Sequence, residues 1–205
     1  MEISINNIEL AAELFTGNNT LFLTKDEDYR NLFMAYATDC NSSSLREAVT
    51  LHILKYDSNS AKHGNDGTDI KTGKLKEVKP VSIKLGEKLD NSGTFNDMTL
   101  TLLDKKTNYD VICSAFSEDR LIYIVEFPFS VIYEKVKKTI DNAKLGKRVS
   151  YSFGYKSYDC DELVVHYFDT KTAMERNCLS KPHFNCLIRR TEKEFIENGL
   201  TKLFK

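Results

Sequence analysis

The chain has 205 residues, of which 29% are charged and 41% hydrophobic, and its net charge is −1 at pH 7. This is the composition of one soluble globular domain. No apolar run approaches the roughly 18 residues that a transmembrane helix needs, and the acidic start MEISINNIELAAELF does not match a secretion signal. Because the net charge is near zero, a surface that binds a polyanion must be local and balanced by acids elsewhere. The five cysteines contain no C-x-x-C pair, which predicts reduced thiols in a cytoplasmic protein.

Helical periodicity marks the first part of the chain. Apolar residues recur at helical spacing in residues 6–16 and 27–38. A third helix is predicted over 41–56, beginning at an S-x-x-E capping box that consists of Ser44 and Glu47. Residues 1–60 are therefore predicted to be helical.

The apolar period changes to two after residue 67, which indicates strands. Residues 68–84 predict a hairpin that turns at Thr72-Gly73, and residues 90–97 form a polar, turn-rich stretch. Strands are predicted at 100–103, 109–116 and 120–127, the last two joined by a turn at 117–119.

The last third of the chain mixes both patterns. Pro128 opens a predicted helix over 128–143, and strands are predicted at 148–155, 162–168 and 183–190. A final helix is predicted to begin with a cap at 191–194. This order predicts a mixed α/β, α+β-like fold in a single domain of residues 1–205, with N-terminal helices, a central mixed but mostly antiparallel sheet, and flanking helices.

The strand of the predicted hairpin carries a candidate metal site. Glu77 and Lys79 are two residues apart on a strand, so their side chains point to the same face. The turn at Thr72-Gly73 can bring an acid of the preceding loop beside them. Paired carboxylates suit Mg²⁺, and a neighbouring lysine can hold the attacking water or offset phosphate charge. The pattern is compatible with phosphodiester hydrolysis; the alternative is the solvated face of a charged hairpin.

The surrounding residues make this pattern more specific. In chain order they are Gly64-Asn65-Asp66, Asp69, Gly73 and Glu77-x-Lys79, followed by an alternating segment at 83–85. Over about residues 40–140 the chain resembles type II restriction endonucleases of the PD-(D/E)xK nuclease superfamily. The resemblance implies a restriction-endonuclease-like fold, with Asp66 and Glu77 as Mg²⁺ ligands and Lys79 as the catalytic lysine. Asp69 is the alternative first ligand, because the spacing between this acid and the glutamate varies within the superfamily.

The resemblance also implies a biological role. It implies a Mg²⁺-dependent endonuclease that cuts both strands of a specific double-stranded DNA site and leaves 5′-phosphates. The enzyme would be a homodimer on a short palindrome, with residues 1–60 as the dimer interface, 61–128 as the catalytic sheet and 129–205 as DNA-binding or accessory elements. The cognate DNA methyltransferase would be a separate chain. Two alternatives remain open: a nicking or repair nuclease of the same superfamily, and a non-catalytic DNA-binding protein.

Two groups of side chains are candidate DNA contacts. The loop at 90–97 offers amide, hydroxyl and carboxylate groups that can read base edges, namely Asn91, Ser92, Thr94, Asn96 and Asp97. Since these residue types also form ordinary turns, a plain turn is the alternative. The basic run at 135–148 can contact phosphates, chiefly through Lys135, Lys138, Lys147 and Arg148. A solvated helix face is the alternative here.

The C-terminal region holds two weaker signals. A second basic segment carries the same ambiguity, through Lys181, His183, Arg189 and Arg190. Cysteine and histidine residues of the region fit no zinc-site template, so buried reduced cysteines are the preferred interpretation; the residues concerned are Cys160, His166, Cys178, His183 and Cys186.

Overall fold

The computed structural model of the chain describes residues 5–17, 43–59, 65–143 and 147–198. The helix predicted at 27–38 lies outside these residues. The helices are α1 (Ile5–Thr16), α2 (Ser43–Leu54), α3 (Leu100–Lys105), α4 (Ser130–Asp141), α5 (Thr170–Glu175) and α6 (Lys181–Asn198). The strands are β1 (Asp57–Ser58), β2 (Gly67–Thr68), β3 (Leu75–Ile83), β4 (Gly93–Met98), β5 (Tyr109–Ser117), β6 (Arg120–Pro128), β7 (Val149–Phe153) and β8 (Val164–Phe168).

Six of these strands form the central sheet, in the order β1-β2-β3-β5-β6-β8. Strands β3 and β5 are parallel, and the other neighbouring pairs are antiparallel. Strands β4 and β7 pair with each other in a two-stranded antiparallel ribbon, called here the β4–β7 ribbon. The predicted mixed α/β class with a mostly antiparallel sheet is confirmed.

The hairpin between β2 and β3 turns where the sequence predicts. Gly67 pairs with Lys76, and Gly73 has a φ of +70°, which favours glycine. The N–H of Gly73 donates to the carbonyl of Asp69 at 2.8 Å. The Asp69 carboxylate accepts from the Lys71 N–H at 2.9 Å and from the Thr72 hydroxyl at 2.7 Å, so this acid stabilises the turn.

Helices cover both faces of the sheet and create two apolar clusters. On one face, α1 and α2 pack Phe15 and Val49 against Val78 of β3, together with neighbouring apolar residues of β5 and β6. On the other face, α4, α6 and the β4–β7 ribbon pack against β5 and β6, for example through Phe95 and Leu187. Helices α1 and α2 thus bury apolar side chains within the chain itself. A dimer interface within residues 1–60 stays a prediction.

The strand predicted at 183–190 is wrong, because this segment lies inside α6. Pro182 occupies the first turn of the helix, where its fixed φ is favourable. His183, Cys186 and Leu187 are buried at helical spacing. The helix start predicted at 191–194 is wrong for the same reason: the Thr191 hydroxyl donates to the Leu187 carbonyl at 2.7 Å, within a continuous helix.

Two predictions around residue 100 are also wrong. The strand predicted at 100–103 is the start of α3, where the Thr99 side chain accepts from the Leu102 N–H at 3.3 Å and caps the helix. The polar loop predicted at 90–97 contains β4, because Phe95 and Met98 are buried and anchor the segment to the core. The strands predicted at 109–116, 120–127, 148–155 and 162–168 are confirmed as β5, β6, β7 and β8. Across the described part of the chain, none of the helices has the length and apolarity needed to cross a membrane.

Candidate active site

Glu77 lies at the centre of a charged site on β3. Its Oε1 accepts a hydrogen bond from Lys79 Nζ and its Oε2 accepts one from Lys106 Nζ, both at 2.6 Å. Lys79 follows Glu77 on the same face of the strand. Lys106 belongs to the 3₁₀ turn Lys106–Asn108 that leads into β5, the parallel neighbour of β3. Burial would raise the pKa of Glu77, but the two ammonium groups hold it below its ordinary value.

Asp66 is held against β3 beside Glu77. Its N–H donates to the Lys76 carbonyl at 2.9 Å, and its Oδ2 accepts from the Val78 N–H at 2.7 Å. These bonds span the strand positions on either side of Glu77. Burial raises the pKa of Asp66, and repulsion from Glu77 raises it further, against the opposing effects of the Val78 bond and the lysines. The two carboxylates therefore repel each other in this site.

Asp69, the alternative first ligand, lies in the hairpin turn instead. Its carboxylate accepts hydrogen bonds from the Lys71 N–H and the Thr72 hydroxyl, and the bond from Thr72 lowers the pKa of Asp69. The structure thus brings Asp66 to Glu77 and leaves Asp69 in a turn-stabilising role.

Glu47 of α2 is a third carboxylate that interacts with this site. Burial raises its pKa, and the charges of Asp66 and Glu77 raise it further. The predicted capping box is wrong: Ser44 lies inside α2, which already includes Ser43, and Glu47 is half-buried near the site. Helical spacing places Glu47 one turn before the fully buried Leu51, but it gives no indication that Glu47 interacts with residues of β3.

The β4–β7 ribbon supports the two lysines. Lys79 Nζ lies 5.0 Å and Lys106 Nζ 5.8 Å from the ring centroid of Phe95, and Lys106 Nζ lies 4.9 Å from that of Tyr109. Such contacts stabilise ammonium groups. A Cβ on Gly93 would lie 2.8 Å from Cβ of Lys79, so ribbon and strand touch directly. The ribbon is therefore part of the surroundings of the site.

The structure distributes the predicted base-reading residues between two roles. Ser92 is 1% exposed and its hydroxyl lies 2.9 Å from the Tyr158 hydroxyl, so the structure places this predicted DNA contact in the core and not on the outer face of the ribbon. Asn91 shapes the turn before β4: its Oδ1 accepts from the Gly93 N–H at 2.9 Å and its Nδ2 donates to Thr94 Oγ1 at 3.0 Å.

The outer face of the ribbon is polar. Thr94 Oγ1 lies 2.9 Å from Ser152 Oγ, and Ser150 Oγ donates to Asn96 Oδ1 at 3.1 Å. Asn96 and Asp97 are exposed. The ribbon thus presents a row of hydroxyl and amide groups drawn from both strands. Pairing with β7 contributes Ser150 and Ser152, which sequence reasoning missed because the two strands lie about 55 residues apart.

The predicted phosphate contacts are exposed. Lys135 and Lys138 lie on the outer side of α4, and Lys147 and Arg148 precede β7. Arg148 lies 4.0 Å from Asp97, at the edge of the ribbon.

The arginines of the second basic segment form ion pairs with acids of the same chain. Arg189 pairs with Asp159 at 2.7 Å, and Arg190 pairs with Asp161 at 3.2 Å. His183 is buried, and burial lowers its pKa to about 4. These contacts favour a structural role for the segment. Its one cysteine, Cys186, is a free thiol, like the other described cysteines of the chain, Cys113, Cys160 and Cys178.

The acids of the site fit a hard divalent cation by their chemistry. Within the described ranges, no three His, Cys, Asp or Glu side chains already converge on one point as a metal site. Asp66 and Glu77 nevertheless supply carboxylate oxygens whose mutual repulsion a bound cation would relieve, and Glu47 adds a third such charge.

Comparison with known proteins adds no family to this description. No family model matches the chain, and no curated protein matches its sequence.

Proposed function

We propose that the protein is a Mg²⁺-dependent, sequence-specific endonuclease of double-stranded DNA. The observation that carries the proposal is that Glu77 and Lys79 share one face of β3 while Asp66 is bound to the backbone of the same strand, with the Asp66 pKa raised by burial and by Glu77. Two repelling carboxylates beside a lysine form a set of groups suited to phosphodiester hydrolysis. The resemblance to PD-(D/E)xK nucleases assigns the same three residues.

In this proposal Asp66 and Glu77 hold the cation, and Glu47 adds negative charge to the site. When bound, Mg²⁺ would polarise the scissile phosphate and lower the pKa of the attacking water. Burial would lower the pKa of Lys79, but the Glu77 carboxylate raises it above its ordinary value, so Lys79 remains an ammonium. Lys79 therefore acts as a hydrogen-bond donor that orients the water for in-line attack and offsets phosphate charge. The product carries a 5′-phosphate.

The β4–β7 ribbon is the proposed base-reading element. A two-stranded ribbon fits the major groove of B-form DNA, where amide and hydroxyl groups distinguish base pairs. Asn96 and Asp97 are exposed on it, and Thr94 lies in the polar row with Ser150 and Ser152. The flanking basic residues, Lys135, Lys138, Lys147 and Arg148, would contact phosphates.

We further propose that the protein is a homodimer and belongs to a type II restriction–modification pair. A chain with one site cuts both strands most simply as a homodimer on a palindromic sequence, because a two-fold enzyme then matches a two-fold site. The cell would need a separate methyltransferase to protect its own DNA, and both proteins would act in the cytoplasm.

Incubation with supercoiled plasmid DNA tests this function. With Mg²⁺, the protein should produce discrete linear fragments, and EDTA should prevent cutting. Glu77→Gln should be inactive, whereas Lys105→Met, a change at an exposed lysine outside the site, should cut normally. Relaxed circles without linear products would indicate a nicking nuclease, and retention of intact plasmid in a gel shift would indicate a non-catalytic DNA-binding protein. Intact plasmid with neither cutting nor binding would contradict the proposal.

A further inference from the structure

Lys106 is a second lysine of the candidate site, and the strand pattern around Glu77 gives no indication of it. Its ammonium donates to Glu77 Oε2 at 2.6 Å, and its side chain is only 14% exposed. The ring faces of Phe95 and Tyr109 also lie close to its ammonium, and its charge interacts with Asp66. With Lys79 on Oε1, both oxygens of Glu77 accept charged hydrogen bonds.

This arrangement conflicts with cation binding unless one ammonium group leaves. A carboxylate oxygen that accepts a short bond from an ammonium cannot bind a cation in the same direction, and the two positive charges repel. The conflict has to be resolved by either Lys79 or Lys106.

Lys79 is the more firmly placed of the two. It lies two residues from Glu77 on the same strand, its Cβ packs against Gly93, and it is attracted by Asp66 and Glu47 as well as by Glu77. Lys106 reaches Glu77 from a 3₁₀ turn outside the strand. The half-buried ring of Tyr109 contacts the same ammonium group, 4.9 Å from Nζ, so part of its stabilisation does not depend on Glu77.

We infer that Lys106 is an exchangeable counter-cation that occupies Oε2 of Glu77 in the metal-free protein and moves to a DNA phosphate when a divalent cation takes that oxygen. The inference rests on the proposed nuclease function. It makes Lys106 a substrate-binding residue whose charge competes with the metal before DNA binds. The exchange keeps the Lys106 charge near an anion in both states, so neither state leaves it buried without a partner.

The first arm of the test measures metal binding alone. Calorimetric titration with Ca²⁺ compares the unaltered protein with Lys106→Met, which keeps the length of the stem, and with Lys106→Arg, which keeps the charge. We expect Lys106→Met to bind Ca²⁺ about ten-fold more tightly, because a competing positive charge is gone. Lys106→Arg and the exposed control Lys105→Met should stay within about three-fold of the unaltered protein. Equal or weaker binding by Lys106→Met would overturn the inference.

The second arm measures DNA binding in Ca²⁺ by gel shift with linearised plasmid over a range of salt concentrations. Lys106→Met should bind about ten-fold more weakly, with the slope of log K against log salt reduced by about 1, as expected for one lost phosphate contact. An unchanged slope would overturn the transfer to phosphate. If the unaltered protein binds neither Ca²⁺ nor DNA, the proposed function itself fails. Circular dichroism checks the fold, and Lys106→Gln replaces the Met variant if that one is unfolded.

Discussion

The two faces of β3 both carry buried charges, but they satisfy them in opposite ways. On one face, Lys76 is 2% exposed and donates to Asp110 at 2.8 Å and to Glu126 at 2.6 Å. Glu126 also accepts from the Tyr56 hydroxyl at 3.0 Å and lies 2.9 Å from His166 Nε2. This set is called here the closed cluster, and its members are Tyr56, Lys76, Asp110, Glu126 and His166. Within it both carboxylates have several partners.

Glu77 and Lys79 on the opposite face belong to a second set, which also draws Glu47 from α2, and the acids of this set repel one another. This set is called here the open cluster, and its members are Glu47, Asp66, Glu77, Lys79 and Lys106. Burial and neighbouring acids raise the pKa of Asp66 and of Glu47. In the closed cluster, by contrast, bonds from His166 and Lys76 outweigh burial and lower the pKa of Glu126 to about 2. Similar acids and lysines around one strand can thus form either a structural network or a site in which two acids keep raised pKa values, and the second is typical of function.

The largest expected effect is a loss of DNA cleavage on replacing Lys79 of the open cluster, in contrast to Lys76 of the closed cluster. Lys79→Met should lower the rate of plasmid cleavage by at least about 1,000-fold, because the donor that orients the water is lost. Its free energy of unfolding should fall by only about 1–2 kcal/mol, because Lys106 still donates to Glu77 and the Met stem still covers Phe95. Rates with Mg²⁺ are compared with those of Lys84→Met, an exposed control just after β3. A folded Lys79→Met protein that cuts within ten-fold of the unaltered rate would contradict the assignment.

Lys76→Met should have the reverse effect. Removing one partner of a buried ionic network leaves Asp110 and Glu126 partly unpaired and should destabilise the fold by about 3 kcal/mol. Urea unfolding measures this change. Metal affinity of the remaining folded protein should be nearly unaltered. A loss of less than about 0.5 kcal/mol would show that the closed cluster is not structural.

Neutralising one acid in each cluster should shift stability in opposite directions. Asp66→Asn keeps an acceptor for the Val78 N–H and removes a repelling charge, so it should stabilise the metal-free protein by about 1 kcal/mol. Glu126→Gln loses charged bonds to Lys76 and should destabilise it by about 1–2 kcal/mol. Thermal unfolding in EDTA measures both. Two changes of the same sign would break the distinction between the clusters.

The stability changes caused by Asp66→Asn and by Glu126→Gln should depend on pH over different ranges. The folded pKa of Asp66 is raised, so its unfavourable contribution is present at neutral pH and disappears as the pH falls to its ordinary value of 3.8. The gain from Asp66→Asn should therefore vanish near that pH. The folded pKa of Glu126 is lowered from 4.5 to about 2, so its stabilising contribution is full above about pH 5 and is lost only as the pH falls toward 2. Thermal unfolding between pH 2 and 7 measures the stability difference between each variant and the unaltered protein, with a precision of roughly 0.3 kcal/mol.

The arrangement of residues along β3 and the turn before it could be predicted from the sequence. Alternation along β3 places Glu77 and Lys79 together and Val78 on the opposite face, and Gly73 marks the turn. Glu47 and Lys106 could not be assigned in this way. Glu47 reaches the site through packing of α2 on the sheet, and Lys106 through the parallel pairing of β3 with β5. Both depend on contacts between distant segments, which local periodicity does not encode.

The C-terminal region shows where periodicity misleads. Phe184, Cys186 and Ile188 alternate as in a strand, although the buried residues His183 and Leu187 follow helical spacing. The segment is compatible with strand alternation and with helical spacing. It is a helix in the structure, where α6 packs against β8. The predicted loop at 90–97 is similar, because the polar residues Thr94 and Asn96 lie on the outer face of β4 while Phe95 anchors the other face.

Divalent cation binding by the open cluster is the property on which the proposed nuclease function depends most directly. Thermal unfolding of the unaltered protein and of Asp66→Asn, each with and without Mg²⁺, measures it. At Mg²⁺ concentrations about 100 times the dissociation constant, the unaltered protein should gain about 2.7 kcal/mol of stability and Asp66→Asn much less, which reverses their order in EDTA. Equal stability of the unaltered protein with and without Mg²⁺, or an equal gain by Asp66→Asn, would contradict the account.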